Sequence, residues 1–163
     1  PDFSCGVDCK TTPLKKKGDE LVVKERLVCN QINFPTIIDE EWESSSFLNK
    51  NSHNLIIRYI DPMDKKIAKT EYLIVDARIF NLRDSEYYEQ FKKDWDDIRN
   101  LVDAGRAQDL SETKTMYIGA CPKGKNKKNT TSQPNSAVKA MRRAFCFKMS
   151  FMKVFLDDYP ILR

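Results

Sequence analysis

The feature that most constrains this chain is an apolar stripe: Tyr87, Phe91, Trp95, Ile98 and Val102 recur at steps of four, four, three and four residues. Only a helix brings such positions onto one face, and a helix with one greasy face needs a surface to bury it against. The spacing predicts a helix that begins near Asp84 and Ser85 and stops at Gly105, with a mostly acidic, solvated opposite face. The surface is predicted by what precedes it. "NLIIRYI" at 54–60 and "EYLIVDARIFNL" at 71–82 are rich in β-branched and aromatic residues and are separated by "DPMDKK", which reads as a hairpin.

The rest follows the same grammar. From Gly6 to Leu14 the residues alternate, with Val7, Cys9 and Thr11 on one face and Asp8, Lys10 and Thr12 on the other, the pattern of a half-buried strand. A turn over 15–20 containing Gly18 and Asp19 leads into the apolar run 21–34, expected to pair back on that strand. Residues 116–121 read as a short strand, 122–136 as a polar loop, 136–141 as a short helix, and "RRAFCFKMSFMKVFL" as a strand, with Phe145 and Phe147 opposed to Ala144 and Cys146, that turns helical. Hairpins without strict strand–helix alternation predict an α/β or, more closely, an α+β fold: a mixed sheet flanked by helices.

At 163 residues, one domain with a self-sufficient core is expected, and no apolar run approaches the length of about 20 residues that spans a bilayer. The five cysteines are odd in number and lack framework spacing, which fits the reduced thiols of a cytoplasm. Cys5 and Cys9 do not have the spacing of a zinc knuckle and the only histidine, His53, is remote; the five glycines form no phosphate-binding loop.

The net charge of +4 conceals an asymmetry. Residues 114–156 contain ten Lys and Arg and no Asp or Glu, whereas the remainder has 18 basic against 24 acidic residues. Such a block marks the face that meets a polyanion, of which nucleic acid is the commonest for a cytosolic protein. At the other end of the chain Asp2, Asp8 and Lys10 stand close together. Two carboxylates with the backbone carbonyl of Cys9 between them offer oxygen ligands to Mg²⁺, and a lysine on the same strand face could orient a water for attack on a phosphodiester. Spacing alone leaves open a second reading, surface charges pairing along a hairpin, because the same acid–x–lysine pattern recurs at Asp64/Lys66 and Glu112/Lys114.

Five blocks in order, "PDFSCGVDCKTTPLKK", "KERLVCNQINF", "WESSSFLNK", "FKKDWDDIRNLVDAGRAQDLSE" and "RRAFCFKMSFM", closely resemble the MutH-type endonucleases, nearest to their Sau-type, GATC-cutting restriction branch. The resemblance implies a PD-(D/E)xK nuclease fold, Mg²⁺ as cofactor and hydrolysis of double-stranded DNA at GATC. It implies Asp2 and Asp8 as metal-binding acids, Lys10 as the motif lysine and Lys50, eight residues after Trp42, as a further active-site lysine. It also implies DNA contacts by Lys123 and Lys125 in the basic loop and by Arg143 and Lys148 near the C-terminus. Two further expectations follow from it. The chain is a fragment, without the family's upstream helical part before Pro1 and a second domain after Arg163, acting as a monomer or a DNA-induced dimer. Asp8 stands where the family has glutamate, one residue nearer Asp2, so the alternative is a catalytically weak DNA-binding or effector module on the same scaffold.

Overall fold

The computed structural model describes residues 2–123 and 129–161. The first sheet holds β1 (Asp8–Lys17), β2 (Glu20–Val23), β4 (His53–Ile60) and β5 (Ile74–Asn81) in the order β2-β1-β4-β5, with β1 parallel to β4 and the other pairs antiparallel. The second holds β3 (Leu27–Gln31), β6 (Ile118–Pro122) and β9 (Arg143–Phe147) in the antiparallel order β3-β9-β6. A ribbon of β7 (Thr130–Gln133) and β8 (Ser136–Met141) stands apart. Among the described residues four α-helices complete the mixed α+β architecture: α1 (Phe34–Ile37), α2 (Ser46–Asn51), α3 (Tyr88–Asp103) and α4 (Met149–Asp158).

The stripe on α3 does what its spacing predicts: Phe91, Trp95, Ile98 and Val102 are buried. They join a core in which Phe47, Phe80, Phe145, Phe147, Phe151 and Phe155 come from strands and helices of both halves of the chain. Phe91 lies 4.8 Å from Phe151 and 5.4 Å from Phe147 between ring centroids, near edge-on in both cases. Each such ring contributes about 1.5–3 kcal/mol by leaving water. The helix ends where glycine is required. Gly105 has φ +67°, and a Cβ there would fall 2.5 Å from the Asn135 carbonyl oxygen.

Three expectations need correction. The run 21–34 is not one strand: Lys24, Glu25 and Arg26 interrupt it, so β2 pairs with β1 while β3 crosses to the second sheet and pairs with β9. The segment 136–141 is a strand and not a helix, and 130–133 pairs with it, because the turn at Pro134 and Asn135, with Asn135 at φ +56°, folds the two into a ribbon. The acidic side of α3 is not wholly solvated. Asp94 is 1% exposed and accepts the backbone N–H groups of Met116, Tyr117 and Ile118 at 3.0, 2.5 and 2.8 Å, tying the helix to the start of β6. The hairpin of β4 and β5 forms as expected. No helix among the described residues is long and apolar enough to cross a membrane.

Candidate active site

The alternation along β1 is as the sequence predicts, but the charged face is the inner one. Asp8, Lys10, Thr12 and Leu14 are buried, whereas Cys9 is half-buried and Thr11 exposed. The topology accounts for this. β2 pairs only with Leu14–Lys17, so the stretch from Asp8 to Thr12 has β4 on one edge and, among the described residues, no strand on the other. A cavity of about 320 Å³ opens there, lined by Cys9, Lys10 and Thr11 of β1 and by 25–28 of the chain crossing to the second sheet.

On the buried face of β1 Lys10 Nζ pairs with Asp8 Oδ2. Lys50 Nζ approaches the other carboxylate oxygen, Oδ1, at 3.5 Å. Burial by itself would raise the Asp8 pKa, but hydrogen bonding and charge from Lys10, with a further contribution from Lys50, overcome that and hold the carboxyl below its ordinary value of 3.8. The group is therefore an anion throughout the neutral range.

Lys50 reaches Asp8 because α2 is anchored before it. Trp42 is buried and packs its ring 6.0 Å from Phe47 and 5.7 Å from Trp95, fixing the entry to the helix. Ser45 caps the helix by accepting the Leu48 N–H at 3.1 Å, and Glu40 accepts both the backbone N–H and the hydroxyl of Ser46. Phe47 and Leu48 then face the core, which leaves Lys50 on the side toward β1. The block "WESSSFLNK" is thus a unit: anchor, cap, core face and lysine.

Asp2 is placed by a tight loop. Phe3 N–H donates to the Val7 carbonyl and Gly6 N–H to the Phe3 carbonyl, with Gly6 at φ +85°. The chain returns so that Asp2 Oδ2 accepts the Cys9 N–H at 2.9 Å. Asp2 is thereby tied to the backbone of Cys9, the residue that follows Asp8. Asp8 Oδ1 is buried with no hydrogen-bond partner beyond the more distant ion pair to Lys50. Two carboxylates and a backbone carbonyl are an all-oxygen donor set, which suits a hard divalent cation, and the Asp8 oxygen that makes no hydrogen bond is the one with coordination capacity to spare. Among the described residues no cluster of three His, Cys, Asp or Glu side chains is assembled here or elsewhere. All five cysteines are free thiols.

The basic residues divide. Lys123 is exposed at the end of β6, its N–H bonded to the Arg142 carbonyl, and Arg143 lies across from Pro122, its Nη1 donating to the Ala120 carbonyl at 3.3 Å. Lys125 lies outside the described residues. Lys148 is half-buried, and its ammonium donates to the Thr115 carbonyl, so this side chain is committed to the fold at the start of α4. Contacts connect the Arg143 end of β9 to the acidic site: the Arg143 carbonyl accepts the Ile32 N–H, and Asn30, two residues earlier, accepts the Asn51 side chain beside Lys50 at 2.8 Å. The asparagines Asn30, Asn51 and Asn54 have no signature in the sequence, since a lone asparagine predicts a turn or cap as readily as a buried bond.

Residues 1–94 match the family described as DNA mismatch repair enzyme MutH. The chain is 37% identical over 164 residues to the type II restriction enzyme Sau3AI of Staphylococcus aureus, an alignment covering 99% of this chain and 33% of that protein. The chain thus spans about a third of the length of that curated relative.

Proposed function

The chain belongs to the MutH family, and on that premise we propose that it is the nuclease domain of a type II, restriction-like endonuclease that hydrolyses double-stranded DNA. The observation that carries this reading is the buried Asp8 carboxylate held between the ammonium groups of Lys10 and Lys50. Three residues drawn from two distant segments, with a charge sequestered from water, form a poor structural device but a good one for chemistry on a phosphodiester.

In this reading Asp2, Asp8 and the Cys9 carbonyl hold Mg²⁺, which when bound supplies Lewis-acid polarisation of the scissile phosphoryl group. Lys10 and Lys50 keep Asp8 ionised, hence always an acceptor. Lys10 orients the attacking water, and both lysines offset the charge that grows on the phosphoryl oxygens. The products are a 3′-hydroxyl and a 5′-phosphate. Lys123 and Lys125 contact backbone phosphates, while Arg143, at the end of the second sheet nearest Lys50, reads a base edge in a GATC site. Lys148 contributes by holding the start of α4 in place. The PD-(D/E)xK pattern is here Asp2 with Asp8–x–Lys10, and the protein acts in the cytoplasm, as a monomer or as a dimer formed on DNA.

A second reading is favoured by a specific observation: both carboxylates already have protein partners, Asp2 with the Cys9 N–H and Asp8 with two lysines. A scaffold of this kind could bind DNA without cutting it. Unmethylated plasmid containing GATC sites, incubated with the protein and Mg²⁺ or with chelator, separates the two. The nuclease reading expects metal-dependent cleavage, lost in Asp8→Ala and Lys10→Ala. Binding without cleavage at any metal concentration selects the module, and neither binding nor cleavage at low salt overturns both.

A further inference from the structure

Asn54 is completely buried on β4, and the parallel register sets it directly beside Asp8 on β1, so the two side chains leave the same face of the sheet. Its Nδ2 donates to the backbone carbonyl of Asn51 at 2.6 Å. Asn51 is the last residue of α2 and the neighbour of Lys50. Building on the nuclease reading, we infer that Asn54 is a positioning residue that sets the Lys50 ammonium against Asp8.

The need for such a residue follows from the helix. α2 has only six residues, too few to hold itself together, and its last carbonyls have no partner within the helix. The Asn51 carbonyl is one of these, and Asn54 supplies its donor. The Asn51 side chain in turn donates to Asn30 Oδ1 on β3 and to the Phe47 carbonyl, both at 2.8 Å. The final turn of α2 is thereby clamped to the first sheet through Asn54 and to the second through Asn30. The short link at Ser52, whose carbonyl accepts the Leu82 N–H at 2.7 Å, keeps the helix near β4, and the buried Phe47 and Leu48 set which side of it faces β1; what Asn54 adds is the final rotation of the last turn. That rotation decides whether the long, 44% exposed Lys50 side chain points to Asp8 or to solvent. Because Asn54 is in register with Asp8 and bonded beside Lys50, one side chain references the lysine to the carboxylate.

The test is a double-mutant cycle of Asn54→Ala and Lys50→Ala on single-turnover plasmid cleavage, together with the rate at which an amine-acylating reagent modifies Lys50 in the free protein, read by mass spectrometry. Asn54→Ala is expected to slow cleavage about tenfold with DNA affinity unchanged, and the double variant to be no slower than Lys50→Ala alone. Lys50 modification is expected to speed up severalfold, while that of Lys92, paired with Asp96 on α3, stays constant. Additive effects in the cycle, or an unchanged Lys50 modification rate, overturn the inference. If Asn54→Ala does not fold, Asn54→Ser, too short to reach the Asn51 carbonyl, takes its place. If the unaltered protein never cuts DNA, the nuclease reading fails on that result alone, and the modification rate still decides whether Asn54 positions Lys50.

Discussion

Lys10 pairs with Asp8 from two positions along the same strand, and both side chains are almost closed to water, 7% and 3% exposed. On an exposed strand such a pair would contribute little, because water competes for both charges. Here each partner depends on the other, since removal of one leaves a desolvated charge.

Asp8→Asn should therefore destabilise the protein by about 3 kcal/mol near neutral pH, as measured by urea unfolding. The folded pKa of Asp8 lies below its ordinary 3.8, so the ionised form stabilises the fold above that value, and the contribution is lost as pH falls through the lower, folded pKa. The gap between the two proteins should stay constant from about pH 7 to about pH 5 and narrow below about pH 3.8.

Lys50 separates chemistry from stability. It is 44% exposed and touches Asp8 only at 3.5 Å, so Lys50→Ala should change unfolding free energy by no more than about 0.5 kcal/mol. In the nuclease reading the same substitution should lower the single-turnover cleavage rate about a hundredfold or more, measured at saturating protein.

Lys123 and Lys148 should behave differently in DNA binding. Lys123→Ala, at an exposed position proposed to contact phosphate, should reduce the slope of log affinity against log salt by about 0.9 and leave thermal stability alone. Lys148→Ala removes the donor to the Thr115 carbonyl, and its signature should be a loss of about 1–2 kcal/mol in stability, with the salt slope unchanged. Fluorescence anisotropy across a salt series, with parallel thermal melts, checks both.

Asp94→Ala should be among the most damaging changes outside the candidate site. It leaves the part-buried N–H of Tyr117 and the buried N–H of Ile118 without an acceptor, and a cost of about 3 kcal/mol or more is expected in chemical denaturation. Asp94→Asn keeps one carbonyl oxygen and should cost less.

What the sequence alone determined is periodic and local. A period near 3.6 put Phe91, Trp95, Ile98 and Val102 on one face of α3, and a period of two put Asp8 and Lys10 on one face of β1; both follow from backbone geometry. A local pattern also marked the stop at Gly105 and the hairpin of β4 and β5. Periodicity states which residues share a face, however, and is silent on which face is buried. That Asp8, Lys10 and Thr12 point inward, that the KER interruption sends β3 to the other sheet, and that 136–141 becomes a strand were decided by which partners lay alongside. The same holds for Lys50 and Asn54, more than forty residues from Asp8 in sequence: β1 and β4 pair in parallel, a contact that needs the whole intervening chain to fold back, and only that pairing brings the lysine and the asparagine to the carboxylate.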